Sequence, residues 1–198
     1  FRQLAAHQQQ QQLRDDTTLL PNQLLFIEQV RQAIASCDEH YPSAALLILD
    51  FVVASQSERE VRLNEQQILD IATNLKLLVP ETLLLARFQH NIFSILVPPH
   101  LCKQYNTIFL NQLAHKLIAG FNQVDSQGMR SPLRIYIGIS ISPNDGDNVD
   151  LLLNSALKAA NRASEQSDSA LCFADSANQQ QAPDFLAMEA ELYRSAAH

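Results

Sequence analysis

The spacing of apolar residues changes several times along this chain, and each change predicts an element. Leu24, Leu25, Ile27, Val30 and Ile34 recur at near-helical spacing, which predicts a helix over residues 22–37. Pro21 stops any helix before it, and Asn22 is a good N-cap for the helix after it. From Ala44 to Val53 the chain is almost continuously apolar, with Asp50 near its end, as in a strand buried on both faces. Ile68, Ile71, Ala72 and Leu75 line one side of a second helix over residues 64–78. Residues 82–97 read as two apolar strands joined by a tight polar turn at Gln89-His90-Asn91. Leu110, Leu113, Leu117 and Phe121 predict a long helix over residues 101–123. Ile135, Ile137, Ile139 and Ile141 alternate with other residues, so Leu133 to Ser142 is expected to be a strand. Pro143-Asn144-Asp145-Gly146-Asp147 is a turn. A helix from Val149 to Ala163 and a short edge strand from Ser169 to Phe173 complete the pattern.

The order predicts an α/β fold, a central mixed β-sheet flanked by helices. Crossover helices are expected to join parallel strands, and one hairpin to be antiparallel. Both flanks are polar. Phe1 to about Arg14 has helical propensity and contains Gln8 to Gln12, and Asp15 to Asn22 breaks it. It reads either as a solvated tail or as the end of a longer helix from an upstream domain. The chain opens without a Met, so a preceding segment is expected. Leu4 and Leu13 are too sparse to specify a coiled coil. Residues 175–183 read as a polar linker and residues 184–196 as a helix.

Composition narrows the class. With 198 residues, the chain suits one domain plus flanking helices. Hydrophobic residues make up 46%, enough for a real core. A net charge of -7 argues against a phosphate-neutralising surface, so no nucleic acid partner is expected. No apolar run is long enough to span a bilayer, and no contact of this chain with the membrane is expected. Cys37, Cys102 and Cys172 lie far apart, as free thiols of a reducing compartment do. There is no CxxC and no close His/Cys cluster, so a structural zinc site is not expected.

Several stretches, taken in order, resemble the GGDEF domain of diguanylate cyclases. Asp15-Asp16-Thr17-Thr18-Leu19-Leu20-Pro21-Asn22 resembles that family's opening, Asp-x-Leu-Thr-Gly-Leu-Pro-Asn. Ala45-Leu46-Leu47-Ile48-Leu49-Asp50 is similar to its first core strand, which ends in a metal-binding Asp. Leu85-Ala86-Arg87-Phe88 and Phe93-Ser94-Ile95-Leu96 resemble the arms of its signature hairpin. Ile137 to Gly146 is similar to a later strand and turn of the family, and Leu152 to Ser164 to its last helix. The resemblance covers residues 15–175. Residues 1–14 then read as an N-terminal signalling or linker helix. Residues 176–198 read as a linker helix, in which Phe185 to Arg194 resembles the lead-in to an EAL domain.

Active members of that family condense two GTP molecules into cyclic di-GMP, a phosphoryl transfer that needs metal and phosphate-holding groups. Residue by residue, the resemblance implies that much of this apparatus is missing here. The strand Asp is kept as Asp50, followed by Phe51, but Val52 stands where a second polar residue is common. The Lys of the family's Phe-Lys pair falls near Ser55. The Gly-Gly pair becomes Gln89-His90, the metal-binding acid Asn91, and the next Glu Ile92. The phosphate-contacting Lys of the last helix becomes Ser164, and that helix's usual Asp becomes Leu157. An Arg-x-x-Asp that binds product would span Pro80 to Leu83 and is absent. Of four glycines, none has phosphate-cradling spacing.

The expected function is therefore a catalytically inactive regulatory domain, with Asp50, Phe51, Gln89, His90, Asn91 and Ser164 as vestigial nucleotide positions and Asp50 and Asn91 as vestigial metal positions. No cofactor is expected, or at most weak GTP with magnesium at the vestigial site. His90 has no acidic neighbour in the turn and reads as solvated, and Cys102 reads as an inert thiol. The implied partners are an upstream sensor, a downstream EAL domain in the same chain, and a second copy in a homodimer. The implied location is the cytoplasm, within a protein anchored in the inner membrane. The alternatives are a GTP-sensing domain and a residual nucleotide cyclase.

Overall fold

The structure is a computed structural model and describes residues 13–53, 63–102, 107–122, 133–166 and 168–174. Of the helix expected over residues 1–14, residues 1–12 lie outside the described residues, as do the linker expected at 175–183, the helix expected at 184–196 and Ser55. The elements in chain order are α1 (Gln23–Ala35), β1 (Ala45–Val53), α2 (Glu65–Leu78), β2 (Leu84–Gln89), β3 (Ile92–Val97), a single turn of helix α3 (Pro99–Cys102), α4 (Thr107–Phe121), β4 (Leu133–Ile141), α5 (Val149–Ser164) and β5 (Ala170–Phe173). Caps mark the helix starts. The side chains of Asn22, Asn64 and Asn148 accept the backbone N–H groups of Leu25, Gln67 and Leu151, respectively. At Asn64 the Gln67 side chain returns the bond, making a capping box.

The five strands form one mixed sheet in the order β2-β3-β1-β4-β5. Its parallel share is smaller than the sequence pattern predicts. β1 runs antiparallel to both β3 and β4, and only β4 and β5 are parallel, joined across α5. Two other expectations shift. The helix predicted from residue 101 is described as two pieces, α3 and α4, and starts at Pro99, the preferred residue for a first helical position. Helix was also expected up to about Arg14, but Arg14 instead pairs with Pro21 in an isolated β-bridge.

β1 is the centre of the core, as its apolar run requires. Ala45 to Leu49 are fully buried. Leu47, Leu49 and Phe51 point into one cluster with Ile71 and Leu75 of α2 and Leu110, Leu113 and Leu117 of α4. Leu46 and Ile48 point the other way, against Phe26 and Val30 of α1 and Leu152 and Ala156 of α5. Phe51 stacks edge-on against Phe93 and Phe121, with ring centroids 5.7 and 4.8 Å apart. α5 can come close to β4 because much of its buried side is alanine, at Ala156, Ala159, Ala160 and Ala163. A β-carbon on Gly138 of β4 would collide with the Ala156 carbonyl oxygen and the Ala160 nitrogen. The Ser140 hydroxyl seals this contact by donating to the Leu152 carbonyl at 2.9 Å.

Candidate functional site

The candidate site is the end of the sheet where β1 leaves the core. Asp50 is the Cα partner of Ile92 on β3 and of Tyr136 on β4. Opposed residues share a face, so the Asp50 carboxylate lies on the α5 side of the sheet. The Phe51 N–H donates to the Asn91 carbonyl at 3.1 Å and ties the hairpin turn to the strand. The structure thus places Asp50 opposite Ile92, next to Asn91 of the turn, with Gln89 one strand further out on the other side of Ile92, while the Phe51 side chain turns into the opposite core. The ladder between β2 and β3 shifts register between Arg87 and Gln89, and His90 has φ 21°. A bulge at this point bends the edge and re-aims its side chains.

Ser164 is the last residue of α5 and is exposed, and its hydroxyl donates to its own helix, at the Asn161 carbonyl. The preceding Ala163 packs with Tyr136, the partner of Asp50, so the end of α5 borders the same end of the sheet. Leu157 is packed against the core. Asp50 offers one carboxylate, and Asn91 beside it offers an amide. That donor set does not fit magnesium, which takes carboxylates together with substrate phosphates. Among the described residues no group of three or more His, Cys, Asp or Glu could hold a metal ion.

One participant was not anticipated from the sequence. Arg87, three residues before His90, gathers the surroundings of the turn. Its Nη1 donates to both Asp15 carboxylate oxygens, at 2.9 and 3.0 Å, and its Nη2 donates to the His90 carbonyl at 3.2 Å. Its backbone N–H donates to the Pro21 carbonyl at 2.9 Å. Asp15 also accepts the Thr18 hydroxyl and N–H, at 2.7 and 2.8 Å. Burial alone would raise the Asp15 carboxyl, but the Thr18 bonds and the Arg87 guanidinium outweigh it and hold the group below its ordinary value. A signal was present: Arg87 interrupts the apolar run of β2, and Asp15 opens the motif at residues 15–22.

All three cysteines are free. Burial pushes the Cys102 thiol up to about 11, against a lowering backbone bond from Ala45, so it is protonated at neutral pH.

Among the described residues no helix is long and apolar enough to cross a membrane. No curated protein matches this chain. Solved structures do. The GGDEF domain of PA1120 (TpbB or YfiN) from Pseudomonas aeruginosa matches at 23% identity, over 82% of this chain and 94% of that one, with a TM-score of 0.68. A coiled-coil and GGDEF structure of DgcB from Caulobacter crescentus, in complex with c-di-GMP, matches at 13% identity, over 87% and 91%, with a TM-score of 0.69. An EAL/GGDEF domain protein from M. capsulatus matches at 26% identity, over 78% and 99%, with a TM-score of 0.56. The family model described as diguanylate cyclase, GGDEF domain, matches residues 12–170. The chain therefore belongs to the GGDEF domain family of cyclic di-GMP signalling proteins.

Proposed function

We propose that this is a GGDEF domain without cyclase activity, which regulates a larger cyclic di-GMP signalling protein. The observation that carries the reading is the donor set at the end of β1: Asp50 stands beside Asn91, in a turn where Gln89 and His90 replace the family's glycines. Glycines there let a purine and its phosphates approach the backbone, whereas Gln89 and His90 fill that space. With an amide for the acid and Ser164 for a lysine, little remains to stabilise the charge of phosphoryl transfer. Incubation of the protein with GTP and magnesium or manganese is expected to yield no cyclic di-GMP on chromatography. Product above a boiled control would refute the proposal.

The rest of the reading concerns the parent protein. Residues 15–175 form a regulatory unit between an upstream helix and a downstream linker at 176–198. That linker leads to an EAL domain with cyclic di-GMP phosphodiesterase activity, beneath an upstream sensor in the inner membrane. The EAL-like lead-in at Phe185 to Arg194 and the similarity to an EAL/GGDEF domain protein support this. A packed domain between two helices can pass on a rotation or a dimer rearrangement without chemistry of its own. Deleting residues 15–175 from the parent, with the helices fused, is expected to change phosphodiesterase rate or its response to signal; unaltered kinetics and regulation would reduce the domain to a spacer. Asp50 favours one second reading, a GTP sensor. That reading wins if GTP with magnesium raises the melting temperature by several degrees and Asp50→Ala abolishes the rise.

A further inference from the structure

The outer side of α2 is less polar than contact with water alone requires. Its inner side is fixed, because Ile68, Ile71, Ala72 and Leu75 are buried in the core and hold the residues between them outward. Those outward residues include Leu69, 36% exposed, and Leu77, 77% exposed. Among the described residues no other element exposes two large apolar side chains; α1 exposes Leu24 and α4 exposes Ile108. Leu69, Thr73 and Leu77 follow one another at four-residue spacing, so they form a strip along one side of the helix, over about 12 Å. The Thr73 hydroxyl donates back to the Leu69 carbonyl at 2.8 Å, so the middle of the strip spends its polar group on its own helix. Opposite charges border the strip at its two ends. Asp70 is exposed beside Leu69, and Lys76 is exposed beside Leu77. Gln66 donates to the Asp70 carboxylate at 2.9 Å, and Lys76 donates to the Thr18 carbonyl at 3.3 Å, which orients both groups.

We propose that this side of α2 is a self-association surface, on which a second copy of the chain lays its own α2 antiparallel across a two-fold axis at Thr73. The strip is complementary to itself in that register. Turning α2 end for end about Thr73 sets Leu69 against Leu77 of the second copy and Asp70 against Lys76 of the second copy, each pair occurring twice, as an isologous interface requires. Apolar meets apolar and acid meets base in a single alignment. A parallel, in-register pairing would instead oppose Asp70 to Asp70 and Lys76 to Lys76. The leucines supply the attraction, and the exposed ion pairs fix the register more than the affinity. With one 14-residue helix on each side, the contact is smaller than the ~1,200 Å² of a stable interface, so the isolated chain pairs weakly. Where another contact of the parent protein already joins two copies, the effective concentration rises to about the millimolar range and the pair forms. This surface goes beyond the reading given above and holds whether or not cyclase chemistry is lost.

Sedimentation equilibrium of the full chain, up to about 1 mM to match a tethered pair, is the first test. The native chain is expected to pass from monomer toward dimer as concentration rises. Leu77→Glu, a change at an exposed position that leaves the core intact, is expected to stay monomeric. Asp70→Lys is expected to weaken association about fivefold, and adding Lys76→Asp to restore it, because the double change only exchanges the two ends of each ion pair. The second test reads the register. The two-fold axis brings residue 73 of both copies together, so Thr73→Cys is expected to give a 73–73 cross-link with a short bismaleimide, mapped by mass spectrometry. The native chain and Gln32→Cys, exposed on α1 in the other helical layer, are the controls and are expected to give no such dimer. A native chain that stays monomeric throughout, with no 73–73 cross-link, would overturn the proposal. So would a dimer that Leu77→Glu leaves intact, or a 32–32 cross-link as abundant as the 73–73 one. Neither measurement reads cyclic di-GMP, so this surface and the loss of cyclase activity can fail separately.

Discussion

The middle of β1 and its last residues share one strand and are held by different means. Leu46 to Leu49 pair with strands on both sides, and their side chains are sealed between two helical layers by apolar contact. Past Leu49 the Phe51 side chain still packs in the core, but polar ties join in. The Phe51 N–H meets the Asn91 carbonyl of the turn, and the turn itself is held by the Arg87 guanidinium, which grips the Asp15 carboxylate of the N-terminal loop. The middle depends on shape, since interiors are close-packed and every neighbour is already placed. The end also depends on hydrogen bonds, and one of them, Phe51 to Asn91, joins the turn to β1 through backbone atoms on both sides. Side chains in the turn can therefore change with little effect on the fold. A GGDEF scaffold can hold its shape around Gln89, His90 and Asn91 because those positions do not carry the core.

The sharpest way to break that contrast is to disturb the middle by one group. Gly138 has the backbone of α5 directly over it, and a β-carbon there meets Ala156 and Ala160 backbone atoms, not a flexible side-chain tip. Gly138→Val should destabilise the protein by more than ~3 kcal/mol, since overpacking against backbone forces the helix off the sheet. Urea unfolding checks this. A midpoint equal to the native one would mean that the middle yields as easily as the turn.

The same contrast explains what was legible in the sequence. The apolar run at residues 44–53 named its own environment, because a strand buried on both faces leaves no polar face to write. Helix starts were legible at Asn22, whose cap bond is local. Strand direction was not. Whether β1 runs with or against β4 depends on where the intervening chain docks, and nothing within either strand encodes it. At the candidate site, family likeness pointed to Asp50 and the turn, and the register sets Asp50 opposite Ile92, the residue after that turn. It did not reveal that Arg87 joins them to Asp15, because a side-chain pair 72 residues apart leaves no periodicity.

A smaller effect separates charge from shape at the polar end. The Asp15 carboxyl is held below its ordinary value in the fold, so between the folded and unfolded values the unfolded chain binds more protons. Its contribution is fully present above the unfolded value of about 3.9 and is lost as pH falls through the lowered folded value. Asp15→Asn should cost about 1.5–3 kcal/mol at neutral pH, the range for hydrogen bonds to a charged group. Urea midpoints of native and variant protein across a pH series should converge as acid is added. Parallel curves down to about pH 3 would show that shape, not charge, holds the loop.

The smallest effect lies in the loop and runs the other way. Leu19 has φ 58°, in the left-handed region, and stands where the family's opening motif has glycine. For a side chain with a β-carbon that conformation costs roughly 1–2 kcal/mol, and glycine removes the cost. Leu19 is 66% exposed, so its side chain contributes little burial that glycine would forfeit. Glycine also frees the unfolded chain, which offsets roughly 0.5–1 kcal/mol of the gain. Leu19→Gly should therefore stabilise the protein by about 0.5–1 kcal/mol, read as a higher urea midpoint with unchanged slope. A loss of stability instead would mean that the exposed leucine packs against something in solution and adds to the apolar hold that the buried Leu20 already gives the loop.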